Sequence, residues 1–127
     1  MVFRSSSVRD VGQLIAELRQ DDPVRREAAI ARLRVLGSRS VARLSTLLRQ
    51  EASPAARAAG LKALDGIDDP RVVDVALAAL GDSDAEVRLA AIAGLRGWIA
   101  REDGTRILDA RFVVERLLVG PRPLLGH

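Results

Sequence analysis

Asp84-Ala-Glu-Val-Arg-Leu-Ala-Ala-Ile-Ala-Gly-Leu95 decides how this 127-residue chain is read, because the same phrase stands in it twice more. Ser53-Pro-Ala-Ala-Arg-Ala-Ala-Gly-Leu-Lys-Ala-Leu64 lies 31 residues upstream. Asp22-Pro-Val-Arg-Arg-Glu-Ala-Ala-Ile-Ala-Arg-Leu33 lies 31 residues upstream again, and no gap is needed. Each copy opens on a residue able to cap a helix: Asp22, Ser53 or Asp84. Four positions on stands an arginine (Arg26, Arg57, Arg88). A small residue follows (Ala29, Gly60, Ala91), then a branched aliphatic (Ile30, Leu61, Ile92) and a leucine (Leu33, Leu64, Leu95). A fixed period of about 20–50 residues marks units that cannot bury their apolar face alone and must stack on their neighbours.

Working outward, each copy is preceded by a second amphipathic segment. Val11, Leu14, Ile15 and Leu18 recur at i, i+3, i+4 and i+7, so residues 8–19 read as a first helix with one apolar face. Residues 1–7 are polar and serine-rich and read as a frayed tail. Asp22 supplies a side-chain acceptor for the next helix, and Pro23 suits its first position, where no N–H is needed. That helix runs to about Leu36, with Gly37 as its terminator. Val41, Leu44, Leu47 and Leu48 form a third helix, and Ser53-Pro54 opens a fourth that ends near Gly66. Asp69-Pro70 opens a fifth, and a Gly81–Asp84 turn leads into the sixth, which runs towards Ile99. The expected repeats are residues 8–37, 38–67 and 68–99. Beyond Arg101 the period fails. Residues 104–119 are expected to form a closing helical cap, on Ala110, Val113, Val114 and Leu117, with a tail at 120–127. The predicted fold is therefore all-α: an α-solenoid of three helical hairpins plus a C-terminal helical cap, in one domain.

Composition narrows the function. Twenty alanines against two Phe, one Trp and no Tyr give an aliphatic core in which helices approach closely. The absence of cysteine excludes disulfides, thiolate metal sites and a cysteine nucleophile, and fits a reducing compartment. The N-terminus shows no apolar signal segment, and no apolar run reaches the ~18 residues of a membrane span. The expected compartment is the cytoplasm, with no membrane partner. The lone histidine is the last residue, His127, so no histidine metal site is expected. No Gly-rich phosphate loop or Gly-x-Ser-x-Gly is present, and carboxylates cluster in turns where capping explains them. Neither catalysis, a cofactor nor a metal is expected.

The charge is uneven. Residues 1–63 carry twelve basic and six acidic side chains, whereas residues 64–127 carry eight and eleven. Such asymmetry steers an anionic partner to the first half. Arg25, Arg26, Arg32 and Arg34, with Arg39 and Arg43 beyond, form the best anion patch, but Asp21, Asp22 and Glu27 stand beside it. Nucleic-acid grooves combine a clear basic stripe with aromatic platforms, and aromatics are missing here. Trp98 reads either as core or cap where the last copy meets the closing segment, or as an exposed anchor for a partner.

The pattern Asp-x-x-Val-Arg-x-x-Ala-x-x-x-Leu, best kept at Asp84, Val87, Arg88, Ala91 and Leu95, resembles the second helix of a HEAT-like repeat, in particular the short repeats of phycobilisome-lyase-like HEAT proteins. The resemblance covers roughly residues 8–100. Copy one departs from it at Arg25, and copy two at Ser53 and Ala56. It implies that Asp22, Arg26, Arg57, Asp84 and Arg88 serve a structural ladder between repeats. It also implies that the second helices line a concave face. On those helices the period places Glu27, Ala31, Arg34, Ala58, Lys62, Asp65, Leu89, Ala93 and Arg96 outward, with Arg25 and Arg32 flanking. Arg25, Arg32, Arg34, Lys62 and Arg96 are the candidate partner-binding residues. The expected function is a non-enzymatic adaptor or scaffold that binds another protein on a curved helical surface. Binding of nucleic acid or another polyanion through the arginine-rich first half is the second reading. An accessory subunit of a lyase or other enzyme, implied by the resemblance alone, is the third.

Overall fold

The computed structural model describes residues 6–51 and 53–101. Six α-helices follow one another there: α1 (Ser6–Leu18), α2 (Pro23–Leu36), α3 (Val41–Gln50), α4 (Pro54–Leu64), α5 (Arg71–Ala79) and α6 (Ala85–Arg101). They pair as α1/α2, α3/α4 and α5/α6, an all-α solenoid. Helix α1 starts at Ser6, two residues inside the stretch read as a tail. The cap expected over 104–119 and the tail at 120–127 lie outside the described residues.

The second helix of each pair starts where its cap stands. Asp22 Oδ1 accepts from the Val24 and Arg25 N–H groups (3.0 and 3.5 Å), Ser53 Oγ from Ala56 N–H (3.3 Å), and Asp84 Oδ2 from Val87 N–H (3.1 Å). Each such cap satisfies donors that have no partner within the helix, and contributes about 1 kcal/mol. Asp69 does the same for α5, accepting from Arg71 N–H at 3.0 Å. Helix α2 ends at Gly37, whose φ of +65° lets its N–H turn back to the carbonyls of Leu33 and Arg34. A single 3₁₀ turn over Gly37–Ser40 then delivers the chain to α3. The buried Ser40 hydroxyl pins that turn by reaching Gly37 O and Leu33 O (2.8 and 3.2 Å).

Two apolar layers share α4. The first joins Leu18 of α1, Ile30 and Leu33 of α2, Leu44 of α3 and Ala59, Ala63 and Leu64 of α4. The second joins Ala58 and Leu61 of α4 to Val73 and Leu77 of α5 and Val87, Ala91, Leu95 and Trp98 of α6. Where α4 meets α2 its apolar residues are mostly alanines: Ala59 and Ala63 pack in the first layer, and Ala55, Ala58 and Ala59 border a cleft with α2. The corresponding side of α6 is Val87, Ala90, Gly94 and Gly97. At Gly97 a Cβ would come within 2.9 Å of Asp65 Oδ1, the end of a half-buried side chain that can turn aside. Small side chains thus let α4 pack closely on both α2 and α6, while α1, α3 and α5 touch one another far less. The second helices therefore lie closer together than the first, and their outward side forms the inner face of the stack. The wider spacing outside leaves a groove of about 310 Å³ between α3 and α5, floored by Leu48, Val75 and Ala79.

Two packing expectations need correction. Ile92 is 41% exposed, although its register partners Ile30 and Leu61 are buried. Those two are covered by the next second helix in the stack (α4 and α6 in turn), and no described helix follows α6. Ala58, placed outward by the period, is buried at 5% exposure, because the second apolar layer closes over it.

Candidate partner-binding surface

The three motif arginines make one contact that repeats with the period. Arg26 donates to Gln20 O (2.6 Å), Arg57 to Glu51 O (2.9 Å) and Arg88 to Asp82 O (2.8 Å). Each guanidinium reaches back six residues to a carbonyl in the turn preceding its own helix, a use that suits a planar fork with five donors. Arg57 also spans to the next hairpin, where its Nε and Nη2 meet Asp82 Oδ2 and Oδ1 at 2.9 and 3.0 Å. Both side chains are only about 15% exposed (14% and 15%). This paired donation holds the Asp82 carboxyl below the usual aspartate range, helped by the Asp84 N–H.

The equivalent contact is missing one layer earlier. Glu51 occupies the register position of Asp82, yet its Oε1 takes Arg19 Nε at 2.7 Å and its Oε2 the Ser53 N–H at 3.1 Å. That N–H, and then Arg19, hold the Glu51 carboxyl below its ordinary range. Arg26 Nε is buried and finds no acceptor among the described residues. Asp22 and Asp84 act as helix caps rather than as arginine partners.

The five candidate partner-binding residues do not form one patch. All are exposed. Arg25 and Arg32 sit on the side of α2 away from α4, at the positions where later copies carry Ala56 and Ala63 or Val87 and Gly94. Arg32 there shares a groove with Asp10, Glu17 and the 85%-exposed Val35, so the basic end is interleaved with acid. Arg34 is already engaged: its Nε donates to Asp65 O (2.7 Å) and its Nη2 to Lys62 O (2.6 Å), satisfying carbonyls at the end of α4. Lys62 and Arg96 lie on the inner face. Lys62 borders a cleft of about 90 Å³ between α2 and α4, together with Glu27 and Glu86 and over a floor of Ile30, Ala55 and Ala59.

Trp98 is core. It is 2% exposed in the second apolar layer, with the Arg101 guanidinium 5.8 Å from its ring. Its register partners are Leu36 and Ile67, so the repeat persists three residues beyond Leu95. The apolar residues that do stand exposed on second helices are Val24, Val35, Leu89 and Ile92. Of these, only Leu89 had been placed outward from the period. Arg19, Glu51 and Asp82 were also missed, and the one available signal was that an acid recurs 31 residues apart at 51 and 82.

Among the described residues no helix is long and apolar enough to cross a membrane, and no three His, Cys, Asp or Glu side chains are grouped to hold a metal ion. The family model for HEAT repeats matches residues 11–96 and, in a second register, 41–115. The chain belongs to the HEAT-repeat family. Such repeats commonly serve protein–protein interaction or scaffolding and are generally non-catalytic. The second match carries the likeness past the point where the 31-residue register stops being readable. No curated protein and no solved structure matches the chain.

Proposed function

We propose that this chain is a non-enzymatic adaptor that binds another protein on the curved face formed by α2, α4 and α6. One observation carries this reading: the arginines that would make a basic stripe are spent on the stack. Arg26, Arg57 and Arg88 bond turn carbonyls, Arg57 also binds Asp82, and Arg34 closes the end of α4. What remains on the inner face is mixed in sign and partly apolar, with Leu89 64% exposed, the composition of a protein-binding patch rather than of a phosphate track. We place this adaptor in the cytoplasm, in keeping with a chain free of cysteine. The accessory-subunit reading rests on family likeness alone.

The test pairs two measurements. A photo-crosslinking residue at position 93, on the inner face, is expected to capture a protein in extracts of the native host that the same residue at position 42, exposed on α3, does not. Labelled single- and double-stranded DNA and RNA are expected to bind weakly near 150 mM salt, with no dependence on Arg25, Arg32 and Arg34. Sub-micromolar binding at that salt, abolished by the triple alanine variant and falling steeply with salt, would replace the adaptor reading by polyanion binding.

A further inference from the structure

Glu51 and Asp82 are held alike at one carboxylate oxygen and differently at the other. Glu51 Oε2 accepts from the N–H of Ser53, and Asp82 Oδ1 from the N–H of Asp84 (3.1 and 2.9 Å). Each acid thus stands two residues ahead of a helix cap, in the same kind of turn. Asp82 gives its other oxygen to Arg57 Nε at 2.9 Å, whereas Glu51 gives its other oxygen to Arg19 Nε at 2.7 Å. Arg26 is the register counterpart of Arg57 and is anchored like it, on a carbonyl six residues back. Its Nε is nevertheless buried without an acceptor among the described residues. At the far end of α2, Arg34 ties the helix to α4 through Lys62 O and Asp65 O (2.6 and 2.7 Å). On the Arg26 side the two helices border a cleft of about 90 Å³, with Pro23, Ile30 and Ala55 around it.

We propose that Glu51 is a latch with two positions. On Arg19, as in this structure, it leaves the first junction open. On Arg26 it closes that junction as Asp82 and Arg57 close the second. The two positions are close in free energy. The Arg19 contact is a pair with one partner 52% exposed, a kind that contributes little. A buried N–H without an acceptor carries its full desolvation penalty, which the Arg26 position removes. The methylene that Glu51 has beyond Asp82 gives its free oxygen the reach to swing while the other stays near the Ser53 N–H. Asp82 has no such choice, because the counterpart of Arg19 one repeat later is Gln50. Helices α4 and α6 therefore move as one unit, while α2 pivots about the Arg34 tie. Neutralising Arg19 transfers Glu51 to Arg26 and stiffens the stack across all three second helices. This goes beyond the adaptor reading and does not depend on what the inner face binds.

The test reads the arginine Nε–H signals of the full-length protein by NMR, with isotope-labelled arginine. Arg26→Lys and Arg57→Lys assign the two signals, and circular dichroism shows that each variant is folded. In the unmodified protein Arg57 is expected at the downfield position of a carboxylate-bound guanidinium, and Arg26 away from it. In Arg19→Gln, with Arg19→Ala as a second variant, the Arg26 signal is expected to move to the position of Arg57. Arg19→Gln is expected to lose little or no thermal stability. Adding Glu51→Gln to it should return the Arg26 signal and lower the melting midpoint by more than Glu51→Gln does alone. An Arg26 signal that stays put in both Arg19 variants would overturn the latch. So would an Arg26 signal already beside that of Arg57 in the unmodified protein. A shift that survives Glu51→Gln would overturn it too, by showing that Glu27 or Glu86, which border the same cleft, supplies the carboxylate.

Discussion

The junction between the first and second hairpins and the junction between the second and third are built from the same register positions, yet only the second is closed by a bidentate ion pair. At the second junction Arg57 grips Asp82 with two hydrogen bonds, both side chains largely shielded. At the first, Glu51 stands where Asp82 stands, but it pairs with Arg19, which is 52% exposed, and Arg26 Nε is buried without an acceptor among the described residues. The junctions differ at two register positions, one of them the acid itself, Glu51 against the shorter Asp82. Residue 19 is arginine and competes for the carboxylate, whereas residue 50, its counterpart one repeat later, is the neutral Gln50. A repeat architecture thus does not make its interfaces equal: residues outside the motif redirect a contact within it.

The largest expected asymmetry is apolar. Trp98→Ala removes the bulkiest side chain of the second layer and is expected to cost about 3–5 kcal/mol. Leu36→Ala, at the same register position but only half-buried, should fall at or below the ~2 kcal/mol lower end for such truncations. Urea unfolding with a fitted m-value measures both, and equal losses would mean that the two layers are packed alike.

Next in size is the ion pair itself. Asp82→Ala strands the shielded Arg57 fork and is expected to cost about 1.5–3 kcal/mol. Arg19→Ala breaks a pair that water already screens on one side, and should cost less than about 1 kcal/mol. A loss at Arg19 as large as at Asp82 would erase the distinction drawn between the junctions.

Acid should act in the same order. Asp82, Glu51 and Asp69 each sit below their ordinary carboxyl values, through Arg57, through the Ser53 N–H and Arg19, and through Arg71 respectively. A carboxyl depressed in the folded state contributes stability that is complete above its unfolded value. That stability is lost as pH falls through its folded value. Stability should therefore hold at neutral pH and decline downward from the ordinary carboxyl values, near 4.5 for Glu51 and near 3.8 for Asp82 and Asp69. Asp82→Asn should flatten the decline more than Glu51→Gln, and midpoint temperatures measured between pH 7 and pH 2.5 would show it.

Much of this was legible in the sequence, and the parts that were not share a cause. Caps at Asp22, Ser53 and Asp84 and the buried Leu33, Leu64 and Leu95 follow from local rules repeated at one spacing, so the period alone reveals them. Ile92 and Ala58 were misplaced because exposure depends on what lies next in the stack, and not on a residue's own helix. In the sequence Arg34 looks like a free surface charge, because its acceptors are backbone carbonyls at the end of another helix, which carry no sequence signal. Trp98 stays ambiguous when the repeat is followed only as far as Leu95. Extended three residues, it aligns Trp98 with Leu36 and Ile67.

The most direct test is a double-mutant cycle run at both junctions. For Arg57 and Asp82 the coupling energy is expected at about 1.5–3 kcal/mol, and for Arg26 and Glu51 under about 0.5 kcal/mol. In an Arg19→Gln background, which makes the first junction resemble the second, the Arg26–Glu51 coupling should rise. That pattern would show that the motif arginines hold the stack together and leave the inner face to its partner. Absent coupling between Arg57 and Asp82 would contradict it, returning those arginines to the surface as ligand-binding groups.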